Sequence, residues 1–306
     1  MTADSLRHLP IGDQVLAGTY VIVQTSHSIP PFRGCRIQHG VVLRNIPKPL
    51  PRRLGKEPLV EAVCELRVSP AGALHSVLPG RLYAIFRDQV SGLETLPAGA
   101  IPDTLRAQDP NLSFAPVVRV TWRDYLVLIG PRSVAIACRL PYPGWQQFKT
   151  DAHELFRNVL ESSLIRGIDR YSVKYVNFFS SPDALAGFTG MMDWSLRIGS
   201  LVVGAEATHI RVEIADGEVT TVLTIASPAQ ITNPSEPTKL GGVVDIDTVC
   251  AHVTNDLTTF ASELESRLDR IRHVNKQVFF DCLTQEAIDQ MEPEYDDAEQ
   301  LPRSLD

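Results

Sequence analysis

No stretch of this chain supplies the 18 or so consecutive apolar residues that a membrane-crossing helix needs. Its longest apolar runs, within residues 117–129 and 243–249, are cut by Arg119, Arg123, Asp245 and Asp247. Cysteine is sparse. Cys35, Cys64, Cys138, Cys250 and Cys282 stand at wide, irregular spacings with no Cys-x-x-Cys, which argues against a disulfide framework and a zinc site alike. Cys64 and Cys138 lie in apolar, strand-like runs, where a free thiol serves as a small hydrophobe. No basic start leads into an apolar segment with a small-residue cleavage site, so a reducing cytoplasm is the expected compartment. Gly-x-Ser-x-Gly, Gly-x-x-x-x-Gly-Lys-Ser/Thr and Gly-x-Gly-x-x-Gly are all missing. Hydrolase, nucleotide-triphosphatase and dinucleotide readings therefore lack support, and no cofactor is expected. His153-Glu154 meets Arg157 where a zinc-protease helix needs a second His.

What is present is an ordinary globular composition: 44% hydrophobic and 21% charged over 306 residues. That suffices for a sizeable core and, at about 100–200 residues per domain, suggests two domains. The charge is unevenly spread. Residues 1–55 hold Arg7, Arg33, Arg36, Arg44, Lys48, Arg52 and Arg53 against Asp4 and Asp13, a balance of +5 that leaves −12 for the rest of a chain whose total is −7. Broken by Pro30, Pro31, Pro47, Pro49 and Pro51, this segment reads as a loosely folded basic arm with at most a strand pair near residues 14–24 and 36–46. It is either an appendage or an arm that touches nucleic acid. Residues 292–306, with six acids against Arg303 and two prolines, read as a solvated tail.

Alternation starts at Leu59. Val60, Ala62, Cys64, Leu66 and Val68 point one way and Glu61, Val63, Glu65 and Arg67 the other, which predicts a strand with one apolar face. A short helix is expected over residues 80–90 behind Pro79, then a Pro- and Gly-rich loop, then strands over 117–122, 125–128 and 133–140. Trp145, Phe148, Ala152, Leu155, Phe156, Val159 and Leu164 keep helical spacing up to Arg166-Gly167, and a strand follows over 170–179. This order resembles the split βαβ, ferredoxin-like plan, an antiparallel sheet with both helices on one side. After Pro182 a short helix and strands over 194–203, 209–214, 219–226 and 241–249 predict a second antiparallel sheet, with Asp216-Gly217 as a hairpin turn. A long C-terminal helix runs from an Asn255 cap through Val278, and Thr284 caps a last short one. The class is α+β. The expected division is a basic, partly disordered extension over 1–54, a ferredoxin-like domain over 55–181, a second α+β domain over 182–292 and an acidic disordered tail over 293–306.

The segment Glu57–Val68, reading EPLVEAVCELRV, resembles the signature near the N-terminus of a sporadically distributed bacterial family of uncharacterised proteins about 250 residues long. Tyr142–Phe148 (YPGWQQF), Arg170–Asn177 (RYSVKYVN), Val244–Asp247 (VDID) and His273–Thr284 resemble the same family, in its order. The resemblance spans roughly residues 55–291 and makes residues 1–54 an unusual extension. It implies a fold and no chemistry; the family's sporadic distribution suggests a setting near mobile elements, in phage defence or toxin–antitoxin pairs.

Two constellations carry candidate chemistry. In a split βαβ sheet the strand at 59–68 is central, so Glu61, Glu65 and Arg67 neighbour Arg139 and Lys174 on one face. Central strands rarely carry so many charges unpaired, because each buried charge costs several kcal/mol. The face is either a site for a polar ligand or protein partner or a salt-bridged surface. Asp245 and Asp247, two apart in a strand, share a face and the spacing to hold a divalent cation; the alternative is a solvated strand face. Tyr171, Val173 and Tyr175 are expected to face the helices, which disfavours base stacking by an RNA-binding sheet. The expected function is a cytoplasmic protein-binding or regulatory component, its partner another protein or a second copy of itself. The alternatives are a metal-dependent nucleic-acid-processing enzyme using the Asp pair, with Glu213 as a further candidate, and nucleic-acid binding through the basic arm. No membrane partner is expected.

Overall fold

The computed structural model describes residues 13–15, 21–24, 48–109, 112–181, 183, 185–204, 207–233 and 236–296. The strand expected over 36–46, most of the basic arm, Cys35 and the tail beyond residue 296 lie outside them.

In chain order, β1 (Asp13–Val15) and β2 (Val21–Gln24) form a hairpin, and β3 (Arg53–Leu54) precedes the long β4 (Leu59–Pro70). Helix α1 (Leu74–Phe86) leads to β5 (Val90–Thr95), a short α2 (Asp103–Arg106), then the meander β6 (Val118–Trp122), β7 (Tyr125–Ile129) and β8 (Ser133–Cys138). Helix α3 (Trp145–Leu160) returns the chain to β9 (Ile165–Ser180). The remainder comprises α4 (Ala186–Thr189), the small hairpin β10 (Leu196–Ile198) and β11 (Leu201–Val203), the strands β12 (Thr208–Asp216), β13 (Val219–Asn233) and β14 (Glu236–Cys250), helices α5 (Leu257–Asp281) and α6 (Gln285–Gln290), and β15 (Pro293–Glu294).

One antiparallel sheet of 11 strands runs β1-β2-β13-β14-β9-β4-β8-β7-β6-β5, with β12 also on β13. The fold is α+β. The separate second sheet expected for residues 182–292 is instead continuous with the first, because β14 bonds to β9 over ten residue pairs from Gly241↔Ser180 to Cys250↔Tyr171. The reason is visible in β9: both of its edges carry backbone groups that must be paired, and β4 satisfies only one. β4 lies between β8 and β9, so the central placement of its strand is observed. The Asp216-Gly217 turn is also observed, with Asp216 opposite Val219 and Gly217 at φ 58°.

Helices α1, α3 and α5 all pack on one face of the sheet. Ala62, Cys64, Leu66 and Val68 of β4, Tyr171, Val173 and Tyr175 of β9, and the apolar stripes of the three helices form one buried cluster. A second cluster joins Val244, Ile246 and Phe179 to Phe188, Phe279, Phe280 and α6. Val60 breaks the expected parity: a bulge between Leu59 and Glu61 turns it to the opposite face, beside Val176, Phe178 and Val243.

Several boundaries differ from the sequence reading. Helix α1 begins at Leu74 and contains Pro79, because Leu74, Leu78, Leu82 and Phe86 form its buried stripe and packing outweighs one missing N–H donor. Residues 90–95 form the mostly exposed edge strand β5, where no alternation needs to show. Helix α3 stops at Leu160 and β9 begins at Ile165. Asp256, not Asn255, caps α5 by accepting from the Thr259 N–H at 3.0 Å, while Thr284 caps α6 as expected. Residues 293–294, assigned to the tail, pair with β3.

Candidate functional site

The charged face of the sheet is assembled as parity predicts, and its acids and bases lie within ion-pair distance of one another, with Arg170 Nε, Asp245 Oδ1 and Asp247 Oδ1 buried without a hydrogen-bond partner. Arg67 Nε donates to Glu65 Oε1 at 2.8 Å, Arg170 reaches the same oxygen at 3.2 Å and Asp247 at 3.7 Å, and Lys174 Nζ lies 3.2 Å from Asp245 Oδ2. Glu61 is buried nearby and adds its charge to the field at Lys174. Burial alone would pull Lys174 down, but Asp245, Glu61 and Asp247 outweigh it and hold the ammonium above its ordinary value. Burial raises Asp247, and Arg170 and Lys174 only partly offset it. Arg139 does not join the group; it lies exposed beyond Cys138, the last residue of β8. Arg170, absent from the expected set, is the residue that links Glu65 to Asp247. Nearby, Arg67 and Arg132 both lie over the Phe114 ring, at 4.2 and 5.0 Å.

The Asp pair thus shares one face, as its spacing requires, but serves as counter-ions to Lys174 and Arg170. Among the described residues no group of three or more His, Cys, Asp or Glu gathers, and Glu213 is exposed and paired with Arg211. Nor is this a solvated strand edge, since β14 lies between β13 and β9. Tyr171 and Tyr175 are buried under the helices, so they offer no stacking surface. His153 lies 3.6 Å from Glu265, and Lys149 bonds Asp269 at 2.7 Å. The polar stripe of α3 is therefore matched by acids on α5.

A different site emerges where β4 begins. A cavity of about 620 Å³ is lined by the strap at residues 51–55, by Glu57–Leu59, by the turn Pro141–Trp145, by Tyr175 and Asn177 of β9 and by Arg272, Asn275, Lys276, Phe279 and Phe280 of α5. The α5 residues recur at three- and four-residue spacing, so one helical face points into the cavity. The turn enters α3 through Gly144, whose φ of 88° suits a residue without Cβ. Asn275 is buried, and its amide donates to Ile246 O at 2.8 Å, Val173 O at 3.2 Å and Thr248 Oγ1 at 3.1 Å. It ties α5 to both β9 and β14 and holds that helical face over the sheet.

The electrostatics of the cavity differ from those of the ladder. The Arg272 guanidinium lies 4.1 Å from the Tyr175 ring centroid and 6.0 Å from that of Trp145, and its Nε is buried without a hydrogen-bond partner. Glu57 sits at the mouth, where partial burial raises its carboxyl and the charges of Arg53 and Arg272 oppose that rise. The Tyr142 and Tyr175 hydroxyls bond each other at 2.7 Å. Burial pushes both phenols up, Tyr175 to about 12 against the opposing charge of Arg272, so both stay neutral. Lys276 donates to Pro51 O, Arg52 pairs with Glu294, and Trp145 Nε1 donates to Asp269 at 2.7 Å.

Sequence reasoning missed this site, because its residues come from five separate places in the chain. A scan against protein-family models finds no match to this chain, and a search of the curated proteins finds none. No helix among the described residues is long and apolar enough to cross a membrane.

Proposed function

We propose that this chain is a binding or regulatory component whose recognition site is the cavity at the start of β4, rather than the charged sheet face. One observation carries the reading: among the described residues Arg53 and Arg272 line a preformed cavity without an ion pair, while the acids and bases of the sheet face lie within ion-pair distance of one another. A cavity in the range of about 300–1,000 Å³, mostly apolar with a few converging polar groups, is the usual form of a small-molecule site. In this reading ligand occupancy is passed to another protein, and the setting in phage defence or toxin–antitoxin pairs belongs to the same proposal. The strand order β9-β4-β8-β7 supports a ferredoxin-like plan for the first half, with β5 and β6 as an added edge.

A saturation-transfer NMR screen of a small fragment set tests the site. Leu59, half-buried and lining the cavity, is replaced by Trp to fill it. Fragments that bind wild type and are lost in Leu59→Trp support the reading. Binding unchanged by the substitution, or no binding at all, sinks it.

A further inference from the structure

We infer that the cavity takes a small aromatic anion, a flat ring joined to a carboxylate or phosphate and no larger than a mononucleotide. The inference rests on the cavity being the recognition site and names what it recognises.

The anionic half follows from Arg272. The planar fork of a guanidinium matches a carboxylate or phosphate with two parallel hydrogen bonds. Here the guanidinium carbon lies 4.1 Å from the Tyr175 ring centroid at the cavity wall, and among the described residues no carboxylate lies within ion-pair reach of it. Unpaired, a partly buried cation is costly; an arriving anion would complete it. Arg53 adds a second unpaired positive charge at the mouth, against Glu57 as the cavity's one acid. On a chain of net charge −7, a concave positive mouth attracts anions from solution.

The ring half follows from the walls. Tyr142 and Trp145, both partly exposed, offer aromatic surface in the lining, and the Tyr142 hydroxyl is already bonded to that of Tyr175, leaving ring contact as the main thing this wall presents to a guest. An inorganic anion alone would leave most of about 620 Å³ to water. A neutral ring alone would leave Arg272 uncompensated in a drier site. A ligand with both parts satisfies both.

Isothermal titration of the full chain with paired probes tests this. Nucleoside 5′-monophosphates and 2-naphthalenesulfonate carry ring and anion, nucleosides and 2-naphthol the ring alone, and inorganic phosphate the anion alone. At least one ring-plus-anion probe should bind ten-fold or more tightly than either of its halves, and Arg272→Met should weaken it at least ten-fold. Arg53→Gln, exposed and outside the core, should weaken it several-fold, which keeps the test valid if the Arg272 variant folds poorly. Nucleosides or 2-naphthol binding as tightly as their anionic counterparts would overturn the anionic assignment while leaving the cavity reading intact. Inorganic phosphate binding as tightly as the nucleotides would overturn the ring. Failure of every probe would overturn the inference. The cavity reading fails with it only if the fragment set also ignores the Leu59→Trp substitution.

Discussion

The molecule holds two concentrations of charge on the same long strands, and they behave differently. On the sheet face opposite the helices, Glu65, Arg67, Arg170, Lys174, Asp245 and Asp247 neutralise one another at 2.8–3.7 Å. At the end of the same sheet, under α5, Arg53 and Arg272 line a cavity with no ion pair among the described residues. A closed network contributes to stability and leaves little to offer a ligand. An open one costs stability and keeps its hydrogen-bonding capacity for a guest. Substitutions in the first region should therefore change folding, and substitutions in the second should change binding.

The largest expected effect is in the ladder. Asp245→Ala removes the counter-ion of Lys174 and should cost about 3 kcal/mol, read from urea denaturation. The double variant Lys174→Met/Asp245→Leu should recover most of it, since a matched apolar pair replaces a matched ionic one. A loss under about 0.5 kcal/mol for the single variant would show that the ladder is not closed. Asn275 belongs to both regions, tying the sheet strands together beneath the cavity. Asn275→Ala should cost about 2 kcal/mol by stranding buried carbonyls, and should also weaken cavity ligands; loss of binding without loss of stability would break the proposed tie.

Arg272→Met should lower stability by no more than about 1 kcal/mol, the worth of its stack on Tyr175, while abolishing most aromatic-anion affinity. A large stability loss would place Arg272 with the structural charges instead. The smallest effect concerns pH. Burial raises the Glu57 carboxyl, so it picks up a proton as pH falls through a range above that of a free carboxylate. The phenols stay neutral throughout. A probe of constant charge such as 2-naphthalenesulfonate should then bind a few-fold more tightly on the acid side. Glu57→Gln should flatten the profile, and an unchanged slope in that variant would remove Glu57 from the site.

How far the sequence could be read depended on the kind of signal. Parity along Glu61–Val68 placed the carboxylates and Arg67 opposite the helical layer, because a two-residue period is a local property of strand backbone. The same logic put Tyr171, Val173 and Tyr175 in the core, where they are. Parity failed at Val60, where a bulge adds one residue, and could not foresee β5, an edge strand with little to bury. Caps were legible to within one residue, since Asn255 and Asp256 are both competent acceptors. The cavity was invisible to periodicity. Its residues sit in ordinary helical and loop positions and share no local pattern.

By itself the sequence determined the local matters: which face of each strand is apolar, where α5 and α6 start, the tight turn at Gly217 and the charges on the outer face of β4. These follow from backbone geometry and nearest neighbours. Tertiary structure alone decided that the two halves share one sheet, because the free edge of β9 needed β14. It also decided which charges were matched, because ion pairing depends on distances between strands far apart in the chain, and those distances left Arg272 over the Tyr175 ring at the cavity wall, with no ion pair among the described residues.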